Sequence, residues 1–186
     1  MKVTLKYLLV TAVALMLGQS AFASSTDIVA MSVTITTTLS VNVTEATLGL
    51  GSLATGGSAV SSAATVTNDG STTEIYQLAL TGMPAAWSVY SGAGAPPYNQ
   101  IKVQGLFCSK TALTGDFNDT DDIITGSNQS ATSTKYAIDT EDETITSGTG
   151  CTEGAVRKLW FQFYAPSGSS VVGQQYVSVT VTAVQG

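Results

Sequence analysis

The chain has no histidine, two cysteines and four prolines, and it carries only seven lysines and arginines against thirteen aspartates and glutamates in 186 residues. Each scarcity excludes something. Without histidine there is no Ser-His-Asp relay, and a metal site would lack its commonest nitrogen ligand. With so few basic residues and no basic patch, a phosphate backbone would be repelled, so nucleic acid is set aside as a partner. Little Lys and Glu beside abundant Ser, Thr, Gly and Val is poor helix material and good strand-and-turn material.

What is present begins with a leader. Lys2 and Lys6 flank an apolar run from Leu8 to Leu17, and Ala21-Phe22-Ala23 is a small-x-small cleavage site. This pattern predicts an export signal over 1–23, with a mature product starting near Ser24. No later run is long and apolar enough to span a membrane as a helix. The expected location is therefore secreted, extracellular or at the cell surface, with the periplasm as the other compartment open to it. Residues 24–186 suit a single domain. Beyond the leader, five basic residues face thirteen acidic ones. Cys108 and Cys151 follow an export signal, and an oxidising compartment predicts that they pair as a disulfide.

Along the chain the period is that of strands. From Val29 to Val43 the odd positions (Val29, Met31, Val33, Ile35, Leu39, Val41, Val43, with Thr37) are mostly apolar, while the even ones are small or hydroxylated. Side chains alternate faces in a strand, so this ribbon has one apolar edge. At about 15 residues it exceeds the usual strand of five or six. Either it bends near Thr36 to Thr38 and serves both sheets, or its first part projects and completes the sheet of a neighbour, with Val29, Met31, Val33 and Ile35 as the assembly strand. Leu48 to Leu80 reads as a hairpin turning at Asn68-Asp69-Gly70. Trp87 is read as core, and Gly105, inside the strand marked by Ile101, Val103 and Phe107, as a bulge or a close approach. Leu159, Phe161 and Phe163 alternate with Trp160, Gln162 and Tyr164, and Val177 to Ala183 alternates to the terminus. With no convincing helical segment, the expectation is an all-β sandwich.

Leu48-Gly49-x-Gly51-x-Leu53-x-x-Gly56, then Val66-Thr67-Asn68-x-Gly70 and Tyr76-x-Leu78, resemble the opening strands of the immunoglobulin-like modules of secreted bacterial proteins. That resemblance implies an antiparallel Ig-like β-sandwich used as a stalk, filament subunit or adhesion unit. More loosely, an exported sandwich with a long amphipathic first strand is similar to subunits of bacterial matrix fibres that polymerise by strand donation. The chain departs from the plain module between Cys108 and Cys151. Nine of the thirteen acidic residues fall between Asp116 and Glu153, which predicts an acidic, disulfide-pinned insertion (108–151) lying over the sandwich.

Within the insertion, Asp116, Asn118, Asp119, Asp121 and Asp122 offer the hard oxygens that calcium prefers. The spacing departs from the helix-loop-helix calcium loop, with Asp121 where Gly is expected and Ser127 where Glu is expected. A solvated turn capped by its own acids is the competing account. Asp139, Glu141, Asp142 and Glu143 read as a hairpin tip. Carboxylates alone do not make a glycosidase pair without an aromatic cleft, and no nucleophile has a base, so no enzyme is expected. The expected function is a non-catalytic structural or interaction protein that self-associates, or binds other surface proteins, through exposed strand edges. The alternative is a calcium-supported or carbohydrate-binding module with Tyr136, Tyr98 and Trp160 as stacking rings. No cofactor is expected unless that calcium site forms.

Overall fold

A computed structural model describes residues 31–45, 47–138 and 147–186. The expected leader, Val29 of the expected assembly strand, and the second acidic run (Asp139, Glu141, Asp142, Glu143) lie outside the described residues. The chain divides into two units, Met1–Ile35 and Thr36–Gly186. In the first, residues 31–35 form no regular structure, and Met31, Val33 and Ile35 are 93, 83 and 81% exposed.

Among its described residues the second unit holds nine strands: β1 (Val41–Val43), β2 (Ser58–Val60), β3 (Ala64–Asn68), β4 (Glu74–Gly82), β5 (Ser88–Val89), β6 (Gln100–Phe107), β7 (Gln129–Ser130), β8 (Val156–Tyr164) and β9 (Ser178–Gln185). No α-helix occurs among the described residues. One sheet runs β1-β3-β8-β6-β5, with β2 continuing the line of β3 along β8; the other runs β7-β4-β9. All ladders are antiparallel except the short β5–β6 pair. Odd positions of β6 and β8 (Ile101, Val103, Phe107, Leu159, Phe163) join Tyr76, Leu78 and Leu80 of β4 in one core between the sheets. Strand alternation thus places the two sheets face to face.

Gly105 lies within an unbroken β6–β8 register, so it is a close approach and not a bulge. A Cβ there would stand 2.8 Å from Leu78 Cδ1 and 3.0 Å from Ile124 Cδ1. Trp87 packs its ring 6.4 Å from that of Phe163, as expected of core.

Three expectations are corrected. Asn68-Asp69-Gly70 does not turn a hairpin, because β3 and β4 belong to different sheets. Asn68 Oδ1 accepts Gly70 N–H at 2.8 Å, while its Nδ2 donates to the carbonyls of Thr72 and Cys151; these bonds carry the chain from one layer to the other. The long first ribbon is a strand only at β1 among its described residues. Thr38 to Ser40 are instead held at the β3–β4 connection: Ser71 N–H donates to Thr38 O, Asp69 N–H to Ser40 O, and Ser40 N–H to the buried Glu74 carboxylate. A Cβ on Gly70 would collide with the Thr38 carbonyl, so glycine is what lets this segment lie down.

The third correction concerns the disulfide. Cys108 and Cys151 are buried thiols, not bridged to each other. Cys108 follows the core-facing Phe107, so it projects to the opposite face of the sheet, beside Leu106, Ala112 and Trp160. Cys151 joins the core between the sheets. A bridge would have to pass through the sheet. Two thiols per chain should therefore react with an alkylating reagent in denaturant without reductant, and neither should react quickly in the folded protein; an intact mass showing no alkylation in denaturant would contradict this placement.

Candidate functional site

The 108–155 connection joins two strands that are neighbours in the sheet, β6 and β8, so it is an excursion from the sandwich and not part of its frame. It first crosses the outer face of β6 and β8, where Phe117 and Ile138 pack on Leu106, Cys108 and Trp160. It then follows the free side of β6: Gly105 N–H donates to Asp122 O, Ile124 N–H to Val103 O, and Phe107 N–H to Tyr136 O. Finally it passes to the other sheet, where β7 pairs β4. Together these contacts cover this flank of the sandwich.

Under the excursion lies Lys102, whose side chain is fully buried on the outer face of β6 and bonded to Asp119. The Lys102 ammonium also sits 4.2 Å from the centre of the Tyr164 ring, a favourable position for a desolvated cation. Burial works to raise the Asp119 carboxyl, but the bonds from Lys102, Gly94 N–H and Gln104 outweigh it and hold the group below the ordinary range. Because the folded carboxyl is the stronger acid, this pair contributes in full above the unfolded value near pH 4 and is lost as pH falls through the folded value. Asp119→Ala would leave Lys102 charged and alone in a dry site. We expect a loss of about 3 kcal/mol, the low end for breaking a buried pair because Asp119 keeps 34% of its side-chain surface in water. Replacing both, as Lys102→Met with Asp119→Leu, should recover most of it; a thermal or urea melt in which the double change costs as much as the single one would refute this assignment.

Four of the five expected calcium ligands, Asp116, Asn118, Asp119 and Asp122, border one cleft, but each is engaged within the chain. Asp116 accepts Leu113 N–H at 2.7 Å and pairs with Lys110; Asn118 Oδ1 accepts Thr120 N–H; Asp122 accepts Asn118 N–H at 2.6 Å. Asp121 contributes its carbonyl to Lys135. Among the described residues no group of three or more His, Cys, Asp or Glu is placed to hold a metal. These acids shape turns and hold the excursion down. Between them lies an open cleft of about 450 Å³ lined by Asp116, Asp119, Asp122, Phe117 and Tyr164, more acidic and less apolar than small-molecule sites generally are.

The stacking rings fare similarly. Tyr136 is buried, with its hydroxyl bonded to Gln129 at 2.9 Å and its phenol pushed up by burial and by Asp122. Trp160 is covered by the excursion and donates to Cys108 O. Only Tyr98 is exposed. The Lys102–Asp119 pair had no sequence signal, since nothing in a lone lysine between Ile101 and Val103 shows what will cover it. No family model, curated protein or solved structure matches this chain.

Proposed function

We propose that the protein is a non-catalytic secreted or cell-surface structural protein of Ig-like kind that associates with copies of itself by adding residues 29–35 to a sheet edge. One observation carries this reading. Met31, Val33 and Ile35 are almost fully exposed at every second position, immediately before a segment that is held in place from Thr38 onward. An extended segment of that pattern supplies alternate side chains for a hydrophobic cleft and backbone groups for a ladder. Burying three such side chains is worth about 1.5–3 kcal/mol each, which gives self-association a driving force that a scattered exposed residue does not.

The calcium-supported or carbohydrate-binding alternative draws less support, since the acids have partners within the chain and two of its three rings are covered. Deleting Ser24 to Ile35 tests the proposal. The fold should survive, because Thr38 to Val43 keeps its bonds, and the truncated chain should scatter light as a monomer where the mature chain forms larger particles. A truncated chain that still assembles would refute the mechanism.

A further inference from the structure

We infer that the receiving site for this segment is the outer edge of β9 in a second copy. The inference rests on the self-association reading and assigns the place where the donated strand lands.

The two flanks of the sandwich differ. On one, the excursion and β5 cover β6, while Thr125, β7, Ala131, Gly148 and Cys151 line the free side of β4 through bonds such as Leu80 N–H to Thr125 O and Tyr76 N–H to Gly148 O. On the other, β9 pairs only with β4 among the described residues, over eight residues from Ser178 to Gln185. The other outer strands, β1, β2, β5 and β7, are three, three, two and two residues long. The core is closed at Leu78, Phe107 and Leu159 but opens towards β9, where Val177, Val179, Val181 and Ala183 are only half-buried, as are Val41 and Val43 of β1.

Natural sheets guard long edges with lysine, proline, bulges or covering loops. β9 has none of the first two: no charged side chain occurs from Leu159 to Gly186 and no proline from Ser167 to Gly186. The donor is equally bare, without a charged residue between Asp27 and Glu45. In an acidic protein, these two stretches can approach without like-charge repulsion. Their lengths agree as well, since seven extended residues reach about 23 Å and eight about 26 Å. With Met31, Val33 and Ile35 turned into the half-open core, Ser32 and Thr34 would lie on the outer face with Thr180 and Thr182.

Hydrogen exchange on the chain starting at Thr36, with and without a synthetic peptide of residues 28–37, tests this. The peptide should slow exchange of amides within 178–185 and leave 88–89 and 129–130 unchanged, and a Val33→Asp peptide should not protect. A peptide that leaves β9 unprotected, bound elsewhere or not at all, overturns the acceptor assignment; if the mature chain nevertheless assembles, the self-association reading stands without it. β9 amides already protected in a dilute monomeric mature chain would assign the edge to the chain's own segment and overturn the inference.

Discussion

A mature chain carrying both Val33→Asp and Ile35→Asp should remain monomeric where the unaltered chain assembles, with its melting temperature unchanged. Both side chains are more than four-fifths exposed, so the isolated fold loses nothing when they are replaced. In the assembled state each would bury an aliphatic side chain worth about 1.5–3 kcal/mol. Losing two removes about 4 kcal/mol, close to three orders of magnitude in the association constant, before the cost of burying two carboxylates is counted. Val33→Ile keeps the pattern and should assemble normally. Sedimentation of the three chains side by side provides the measurement, and equal assembly by the double variant would contradict the role given to this segment.

Tyr76→Ala should be the most damaging change to the fold itself. Tyr76 is fully buried at the middle of the core, with its ring 5.7 Å from that of Phe107. Removing a buried ring of this size costs about 3–5 kcal/mol, which for a domain of this length lowers the melting temperature by about 10 °C or more. Its hydroxyl, by contrast, meets no oxygen or nitrogen partner and has only the Cys151 thiol as a weak sulfur partner, and burial together with Cys151 and Glu74 pushes the phenol well above its ordinary range. Tyr76→Phe should therefore be neutral or mildly stabilising, since it removes a buried group that gains only a weak bond to sulfur in exchange for lost hydration. Thermal melts of the two variants separate ring from hydroxyl; a large loss in Tyr76→Phe would show that the bond to Cys151 is a strong one.

These expectations show how far the residues alone carry the argument. In β8 the alternation of Leu159, Phe161 and Phe163 with Trp160, Gln162 and Tyr164 is legible because parity is fixed by the strand. The same parity separates Phe107 from Cys108 and bears against a bridge to a cysteine in the core. Asn68-Asp69-Gly70 is legible as a turn but not as a crossing between layers, because that depends on Asn68 reaching Cys151, 83 residues away. The acidic cluster is legible as charge and not as function. Whether Asp119 meets a cation or a buried lysine depends on which strand the excursion crosses, a tertiary fact with no local signature. The flank left open at β9 is equally invisible in sequence, since its Val-Thr alternation would suit a covered strand as well as a bare one.

The most direct test of self-association is sedimentation velocity of the unmodified mature chain over a wide range of concentration. The account predicts a sedimentation coefficient that climbs as concentration rises, towards multimers. A single monomeric boundary at every concentration would contradict it.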